Sequence, residues 1–310
     1  MGRVARVFIT RSFAFDALDR LRAEHEVDIW DHDTPPPPQA LRERAQQADA
    51  LLTMITERVD AELFDAAPSV KAVANLAVGT DNIDLEEAAR RGIKVGNTPG
   101  VLTDATADIA FALLLGIARR LSEGEREVRK GRWAPWHPTH MVGGDLAGAT
   151  LGIVGWGRIG QAMARRGEGF GMEVIHSSRS SGIPLDELLE RADYVSLHTP
   201  LTPETRHLMG APQFKRMKRT AYLINTARGG VVDQAALREA LVRGEIAGAG
   251  LDVTDPEPLP PDDPLLTAPN LLVMPHVGSA TFRTRARMAD MAVDNLLAAL
   301  AGRDMPHPAS

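Results

Sequence analysis

Short apolar runs recur along the first hundred positions, and each is followed by a stretch whose apolar residues fall at helical spacing. Val4–Ile9, Val27–Trp30, Ala50–Met54, Val70–Ala74 and Ile93–Val95 read as strands, with helices between them at Phe15–Ala23, Gln39–Gln47, Ala61–Ala66 and Leu85–Arg91. Such alternation predicts a parallel sheet covered by helices on both faces. A second series places strands at Gly152–Val154, Glu173–His176, Tyr194–Leu197, Ala221–Ile224, Ala249–Val253 and Leu271–Met274. Between the two series, one long helix is predicted from Asp104 to about Lys130, followed by a loop carrying Trp133 and Trp136. The last predicted helix, Thr281–Ala301, has no place in the second sheet and is expected to return to the first. The expected organisation is a discontinuous domain over 1–98 and 281–310 and a second domain over 99–280, with hinges near Asn97–Pro99 and Ser279–Thr281. Pro35–Pro38 reads as a stiff loop entering a helix.

Composition agrees with two globular domains. A chain of 310 residues exceeds what one core usually supports, and 44% hydrophobic with 25% charged residues is globular composition. The formal charge of -6 argues against a nucleic-acid surface. The absence of cysteine excludes disulfides, thiol nucleophiles and cysteine-ligated zinc, and suits a reducing cytoplasm. Met1–Thr10 runs directly into a strand pattern, so no signal peptide is expected. The most apolar helical stretch, Ile109–Ala118, is about half the length that crosses a bilayer.

The second series opens on chemistry. Thr150–Val154 leads into Gly155-Trp156-Gly157-Arg158-Ile159-Gly160 and then a good helix sequence, the strand, turn and helix context that a G-x-G-x-x-G loop needs. Gly155 permits the tight turn, Gly157 lets backbone approach a pyrophosphate, and Gly160 lets helix pack on strand, while the helix N-terminus offers unpaired N–H groups to phosphate. After the next strand comes Ser177-Ser178-Arg179-Ser180-Ser181, where an NAD enzyme would place an acid on the ribose 2′-hydroxyl. A carboxylate there would repel a 2′-phosphate; Ser177 and Ser178 can donate to one, and Arg179 can pair with it. NADP is therefore expected over NAD.

Three residues answer what reduction of a small 2-keto acid requires. A fixed cation must hold the carboxylate and polarise the ketone, and an acid must protonate the oxygen as charge develops. Arg228 lies just past the strand Ala221–Ile224, where open α/β sheets bind ligands, and its fork can engage a carboxylate bidentately. His276 follows Leu271–Met274 and can donate a proton and take it back. Glu257, between Pro256 and Pro258, would bond the other ring nitrogen, fixing its orientation and favouring the protonated form. Taken singly, a histidine after a strand is commonly structural, a glutamate in a proline-rich loop solvated, and an arginine part of an ion pair. His137, His140, His198 and His207 sit in no such motif, and none has metal-ligand context, so no metal is expected.

Five motifs carry a resemblance. Val78-Gly79-Thr80-Asp81-Asn82-Ile83-Asp84, Gly155–Gly160, Asn225-Thr226-Ala227-Arg228-Gly229-Gly230, Gly250–Pro258 and Pro275–Thr281 are similar to those of the D-isomer-specific 2-hydroxyacid dehydrogenase family, over essentially the whole chain. Val101–Asp108, Pro256–Pro260 and the acid-free loop 177–181 look most like the members that reduce glyoxylate and hydroxypyruvate. The resemblance implies two doubly wound parallel-sheet domains, a Rossmann nucleotide-binding domain and a flavodoxin-like substrate domain. Arg228, Glu257 and His276 would be catalytic, and the backbone N–H groups of Val78 and Gly79 would hold the substrate carboxylate opposite Arg228. Cofactor contacts would come from Gly155, Gly157, Arg158, Ile159, Gly160, Ser177, Ser178 and Arg179, from Thr199, Pro200, Thr226 and Ala227, and from Asp252, His276 and Gly278, with Asp252 accepting from the nicotinamide carboxamide. Ligand binding would close the cleft on the two hinges. Residues 104–145 would be a dimerisation segment, with Trp136 reaching the neighbouring subunit's site, or with both tryptophans in the core. The family also includes enzymes acting on phosphoglycerate, phosphite and formate, and corepressors that sense the nucleotide. The lack of a C-terminal regulatory domain and of a recruiting extension argues against the longer phosphoglycerate enzymes and the corepressors, and Glu257 is unlike the formate enzymes.

Overall fold

The computed structural model describes residues 4–13 and 15–309; Met1, Gly2, Arg3 and Ser310, which the expected domain limits and the N-terminal reading include, lie outside them, as does Ala14. The chain separates into two compact units, Met1–Leu102 with Ala280–Ser310, and Thr103–Ser279. Both are open parallel sheets with helices on both faces.

In the first unit, β1 (Arg6–Ile9), β2 (Glu26–Ile29), β3 (Ala50–Thr53), β4 (Ala72–Asn75) and β5 (Lys94–Gly96) pair in the order β2-β1-β3-β4-β5, all parallel. This is the flavodoxin-like order 2-1-3-4-5. Period-two alternation sorts the core: Phe8, Leu51 and Val73 face one way with Leu41, Leu63 and Phe64, from α2 (Pro38–Ala45) and α3 (Ala61–Ala66). Val7, Ile9, Leu52 and Ala74 face the other, against Leu18 and Leu21 of α1 (Ala17–Glu24). That same face receives Ala292, Val293 and Leu296 from the last helix, Phe282–Leu300, whose first turn is capped by the Thr281 hydroxyl accepting from Thr284 N–H at 3.1 Å. Beyond that helix, the chain lies antiparallel along the end of β5, with Asn97 N–H donating to His307 C=O and Ala309 N–H to Val95 C=O. Thr98 N–H donates to Ala77 C=O, so Asn97 and Thr98 still belong to this sheet and the chain passes to the second unit after Leu102.

The second unit begins with α5 (Thr103–Ala118), which follows α4 (Leu85–Arg90) in the chain. The single helix expected over 104–130 is two: Arg120 takes a left-handed φ of 54° and α6 (Leu121–Arg129) starts afresh. The break has a partner remote in sequence, because the Ala118 carbonyl accepts from Gly144 N–H instead of from the next helical turn. Gly143 can lie there only as glycine, since a Cβ would meet Ala118 O at 2.1 Å. None of the residues of α6 is buried.

The sheet of this unit contains β6 (Thr150–Val154), β7 (Glu173–Ser177), β8 (Tyr194–Leu197), β9 (Tyr222–Asn225), β10 (Gly248–Leu251) and β11 (Leu271–Val273), in the order β11-β10-β9-β8-β6-β7. The Rossmann order 3-2-1-4-5-6 has two strands on the far side of its first strand. Here β7 alone lies beyond β6, because a tight turn after Ser177 sends the chain into α8 (Leu185–Arg191) and back to β8. The switch point between β6 and β8 is kept, and the glycine loop leaves β6 there. No helix among the described residues is long and apolar enough to cross a membrane.

Candidate active site

The second-unit residues expected in catalysis and at the cofactor follow the strands of one sheet. In the order of the strands, His276 follows β11, Asp252 and Glu257 follow β10, Arg228 follows β9, Thr199 follows β8, the glycine loop follows β6 and Ser177 ends β7. Parallel strands put their carboxyl ends on one side, so distant parts of the sequence share a rim.

Two positions of the glycine loop require glycine, and the third leaves space open before a helix. Gly155 has φ +98°, and a Cβ there would meet His198 O at 2.6 Å. At Gly160 a Cβ would meet Gly155 O at 2.2 Å. Gly157 faces open space, with nothing within 4 Å, and caps α7 (Arg158–Gly169) without a side-chain bond to the first turn. The free first-turn N–H groups and the space before them fit a pyrophosphate. Two buried hydroxyls on the same rim, Thr199 Oγ1 and Thr226 Oγ1, have no hydrogen-bond partner among the described residues, so the crevice holds polar atoms that a ligand can satisfy. The residues present therefore fit a dinucleotide.

The loop after β7 is a tight turn. Ser178 N–H and hydroxyl both bond the Ser181 carbonyl, at 2.9 and 3.0 Å, and Ser177 is only 9% exposed. The hydroxyl proton of Ser178 is thus engaged inside the turn, and Arg179 stands exposed at its tip. Glu204, beyond β8, is held below the usual carboxylate range first by the Thr202 hydroxyl, then by its own backbone N–H, and to a smaller extent by the positive charge of Arg179. Trp156 stacks on His176 with ring centroids 4.0 Å apart, a contact that the spacing of the glycine motif did not suggest.

His276 Nδ1 lies 2.7 Å from Glu257 Oε2, both side chains about one-third exposed. The other Glu257 oxygen accepts from Thr254 N–H at 3.0 Å, so the carboxylate is held by its own loop. His276 takes φ 53°, a left-handed conformation that costs a β-carbon-bearing residue stability and is characteristic of functional positions. Asp252 enforces it: its carbonyl accepts from His276 N–H at 2.9 Å, and its carboxylate accepts from Val277 N–H at 2.8 Å and Gly278 N–H at 2.7 Å. Burial pushes the Asp252 carboxyl up from its usual value, and those two N–H donors pull it back in part. Gly278 and Asp252, both expected at the cofactor, are thus also bonded to each other.

Arg228 is half-buried on a loop shaped by Asn225, whose side chain accepts from Ala227 N–H at 3.0 Å and donates to the Arg228 carbonyl at 2.9 Å. Asn225 was missed in the sequence, although an Asn closing a strand before Thr-Ala-Arg-Gly is an Asx-turn signal. Next to Arg228, a Cβ on Gly229 would meet the Thr254 carbonyl at 2.0 Å, so that glycine lets the Arg228 loop touch the loop carrying Glu257. Trp133 and Trp136 are 78% and 86% exposed, which overturns the core alternative for them. Val78 and Gly79 belong to the first unit, in the half-buried loop after β4.

A dinucleotide seat on the same rim as a bonded imidazole and carboxylate is the equipment of a nucleotide-dependent oxidoreductase. Comparison with known proteins narrows the class. Residues 111–278 match the D-isomer specific 2-hydroxyacid dehydrogenase NAD binding domain. A glyoxylate reductase of Korarchaeum cryptofilum is 51% identical over 97% of this chain and 95% of its own. A solved protein of Thermus thermophilus is 51% identical with a TM-score of 0.94, covering 98% of this chain and 100% of that one. An NADPH-dependent glyoxylate/hydroxypyruvate reductase of Sinorhizobium meliloti, solved with NADP and malonate, is 34% identical with a TM-score of 0.85, covering 99% and 97%. The chain belongs to the D-isomer-specific 2-hydroxyacid dehydrogenase family and is an oxidoreductase with an NAD-binding domain.

His198, at the end of β8, gives the rim a pH dependence of its own. Although the residue keeps some exposed surface, burial of the imidazole pushes it down to about 4, with Nε2 2.9 Å from Ser196 Oγ. In the unfolded chain it titrates near 6.5, so the unfolded state binds the proton first. Its stabilising contribution is present above about 6.5 and is lost as pH falls toward about 4. Urea midpoints should be flat from pH 7 upward and fall through that window, with a shallower fall in His198→Gln; an equal acid slope in the two proteins would clear His198 of the effect.

Proposed function

We propose that this enzyme reduces a small 2-keto acid, glyoxylate or hydroxypyruvate, to the corresponding D-2-hydroxy acid, with NADPH preferred over NADH. The observation that carries the reading is the 2.7 Å bond between His276 and Glu257 on a backbone held left-handed at the imidazole. A histidine steadied at Nδ1 presents Nε2 as the proton donor, and the acid role follows from that geometry. The names of the relatives, glyoxylate reductase and NADPH-dependent glyoxylate/hydroxypyruvate reductase, support the substrate class.

A reduced nicotinamide, when bound, supplies the hydride to the ketone carbon. Gly155, Gly157, Arg158, Ile159 and Gly160 hold the pyrophosphate, and Thr199, Pro200, Thr226, Ala227, Asp252 and Gly278 line the rest of the crevice. Arg228 orients the keto acid and draws electron density onto its oxygen. His276 delivers a proton from Nε2 to that oxygen as charge builds there, and Glu257 stabilises the imidazolium before the transfer and takes up no proton itself. In the reverse direction the neutral imidazole accepts the hydroxyl proton. In the first unit, Val78 and Gly79 present backbone N–H groups to the substrate carboxylate.

Arg179 is the group on the β7 turn that reads the 2′-phosphate, since the serine hydroxyl beside it is already engaged. The exposed apolar set on residues 121–142, with Leu121, Val128, Trp133, Trp136 and Val142 all more than half exposed, is read as the contact face of a homodimer, with Trp136 reaching the partner's substrate.

Loss of NADPH absorbance on adding glyoxylate or hydroxypyruvate tests the reading directly; a protein that binds nucleotide but turns over neither is a sensor or a dehydrogenase of other acids. In His276→Ala the chemical rate should fall by roughly two to four decades with NADPH binding near wild type, while Arg228→Lys, which keeps charge but loses the fork, should chiefly raise KM for the keto acid. Near-normal turnover of the His276 variant would remove the proposed acid. Arg179→Asp should lower the kcat/KM ratio of NADPH to NADH by about tenfold or more, and an unchanged ratio would mean that the phosphate is read elsewhere. Sedimentation velocity should find a dimer that Trp133→Ser with Trp136→Ser weakens; a monomeric wild type would dismiss the interface.

A further inference from the structure

The loop after β4 has an unusual backbone arrangement. Three successive carbonyls are tied to donors of the first unit: Ala77 O accepts from Thr98 N–H at 2.9 Å, Val78 O from Asn97 Nδ2 at 2.7 Å, and Gly79 O from Asn75 Nδ2 at 2.9 Å. In a trans peptide unit the carbonyl and the following N–H point to opposite sides. Each tie therefore turns one N–H away from the group that holds the carbonyl: those of Val78, Gly79 and Thr80. Among the described residues, none of these N–H groups donates to a protein acceptor, although all three residues are half-buried. Backbone donors with no protein acceptor are open to water or to an anion, and N–H groups of successive residues can together take up a negative charge.

We propose that Asn75 and Asn97 are positioning residues for the substrate carboxylate, holding the Gly79 and Val78 carbonyls so that the Thr80 and Gly79 N–H groups face the anion. The proposal rests on the reading of this loop as the carboxylate seat and adds Thr80 N–H to the donors. The Asn75 side chain is itself fixed, and Asn97 is fixed at its backbone. Asn75 is fully buried, its Oδ1 accepts from the Thr53 hydroxyl at 3.1 Å, and its Nδ2 also donates to Asn82 Oδ1 at 3.0 Å. Asn82 in turn donates to the carbonyls of Met54 and Glu57 at 2.9 and 3.0 Å, locking its orientation. Asn97 is clipped through its backbone: its carbonyl accepts from Asn295 Nδ2 at 3.1 Å, and Asn295 Oδ1 accepts from His307 N–H at 2.9 Å. A Cβ on Gly96 would meet Asn295 Nδ2 at 2.5 Å, so the last helix seats directly on this segment. The chain's C-terminal return thus sets the direction of Asn97 and, through it, of the Gly79 N–H.

Asn97→Asp is the deciding variant, because it keeps the shape and replaces the donor by a group that repels the Val78 carbonyl. The proposal expects KM for glyoxylate to rise roughly ten- to hundredfold with kcat and KM for NADPH near wild type, the scale of a lost hydrogen bond to a charged group. The variant-to-wild-type KM ratio should shrink as pH is lowered, since the introduced carboxyl group donates again once it is protonated; a loosened fold would give no such recovery. Asn75→Asp serves as a second variant, and its fully buried site makes a folding check by circular dichroism part of the measurement. Oxalate titrated calorimetrically into the NADPH-loaded protein gives a readout independent of turnover, and Asn97→Asp should weaken it by the same factor. Equal KM and equal oxalate affinity in wild type and Asn97→Asp, or no oxalate binding by the wild type, overturns the proposal. If the wild type reduces no 2-keto acid yet oxalate binding drops in the variant, the anion seat stands and the assigned substrate falls.

Discussion

A buried carboxylate holds the chemistry of the second unit together. Asp252 is 1% exposed, and removing a charge from water costs several kcal/mol in a real protein unless donors replace the lost hydration. Here they are the N–H groups of Val277 and Gly278, one on each oxygen, while the backbone of Asp252 donates to Asn225 and accepts from His276. The ends of β9, β10 and β11 are thereby tied to one residue. This bonding over-determines the backbone at His276, so a left-handed φ worth about 1–3 kcal/mol of strain persists there. The imidazole then meets Glu257, whose own loop is pressed against the Arg228 loop at a glycine too tight for any Cβ. Arginine, glutamate and histidine are held by backbone and side-chain bonds on three adjoining strand ends, and the order of strands at the rim does the rest.

What was legible in the sequence was local. Strand and helix positions followed from the period of the apolar residues, with ends differing by a residue or two, because alternation and helical spacing record which side of each element is buried. The glycine loop was legible for the same reason: Gly155 and Gly160 are required by contacts with the strand and turn next to them. The break after Ala118 was not, because the donor that ends the helix comes from Gly144, across a loop with no periodicity of its own. The inward closure of the loop after β7 was equally hidden. A turn of Ser178 to Ser181 closed by its own hydroxyls sends the chain back early, and serine-rich sequence alone does not say whether hydroxyls point at a ligand or at each other.

The same distinction separates the residues of the site from those that hold them. Arg228, Glu257 and His276 stand in motifs whose residue types announce charge and proton transfer. Asn225, Asn75 and Asn97 carry no such mark, since a lone asparagine near a strand end is ordinary in any turn. Their importance appears only when their partners are known: the Arg228 carbonyl for Asn225, the Gly79 carbonyl for Asn75 and the Val78 carbonyl for Asn97. Each amide can donate and accept at once, which suits it to fix a peptide unit while remaining satisfied itself.

Both units thus solve the same problem with opposite groups. In the second, a buried acid gathers backbone N–H groups inward and so exposes an imidazole; in the first, the buried Asn75 and the half-buried Asn97 hold carbonyls and so turn N–H groups the other way. Peptide groups directed in this way are rigid and need little reorganisation when a charge arrives, which is where preorganised sites gain over flexible surface side chains. A long side chain such as lysine could reach the same anion, but it would lose up to about 2 kcal/mol of rotamer freedom on being fixed there. The backbone of a loop already clamped by Asn75 and Asn97 has lost that freedom on folding, so in the proposed seat the affinity depends on the two amides behind it more than on the residues at its surface.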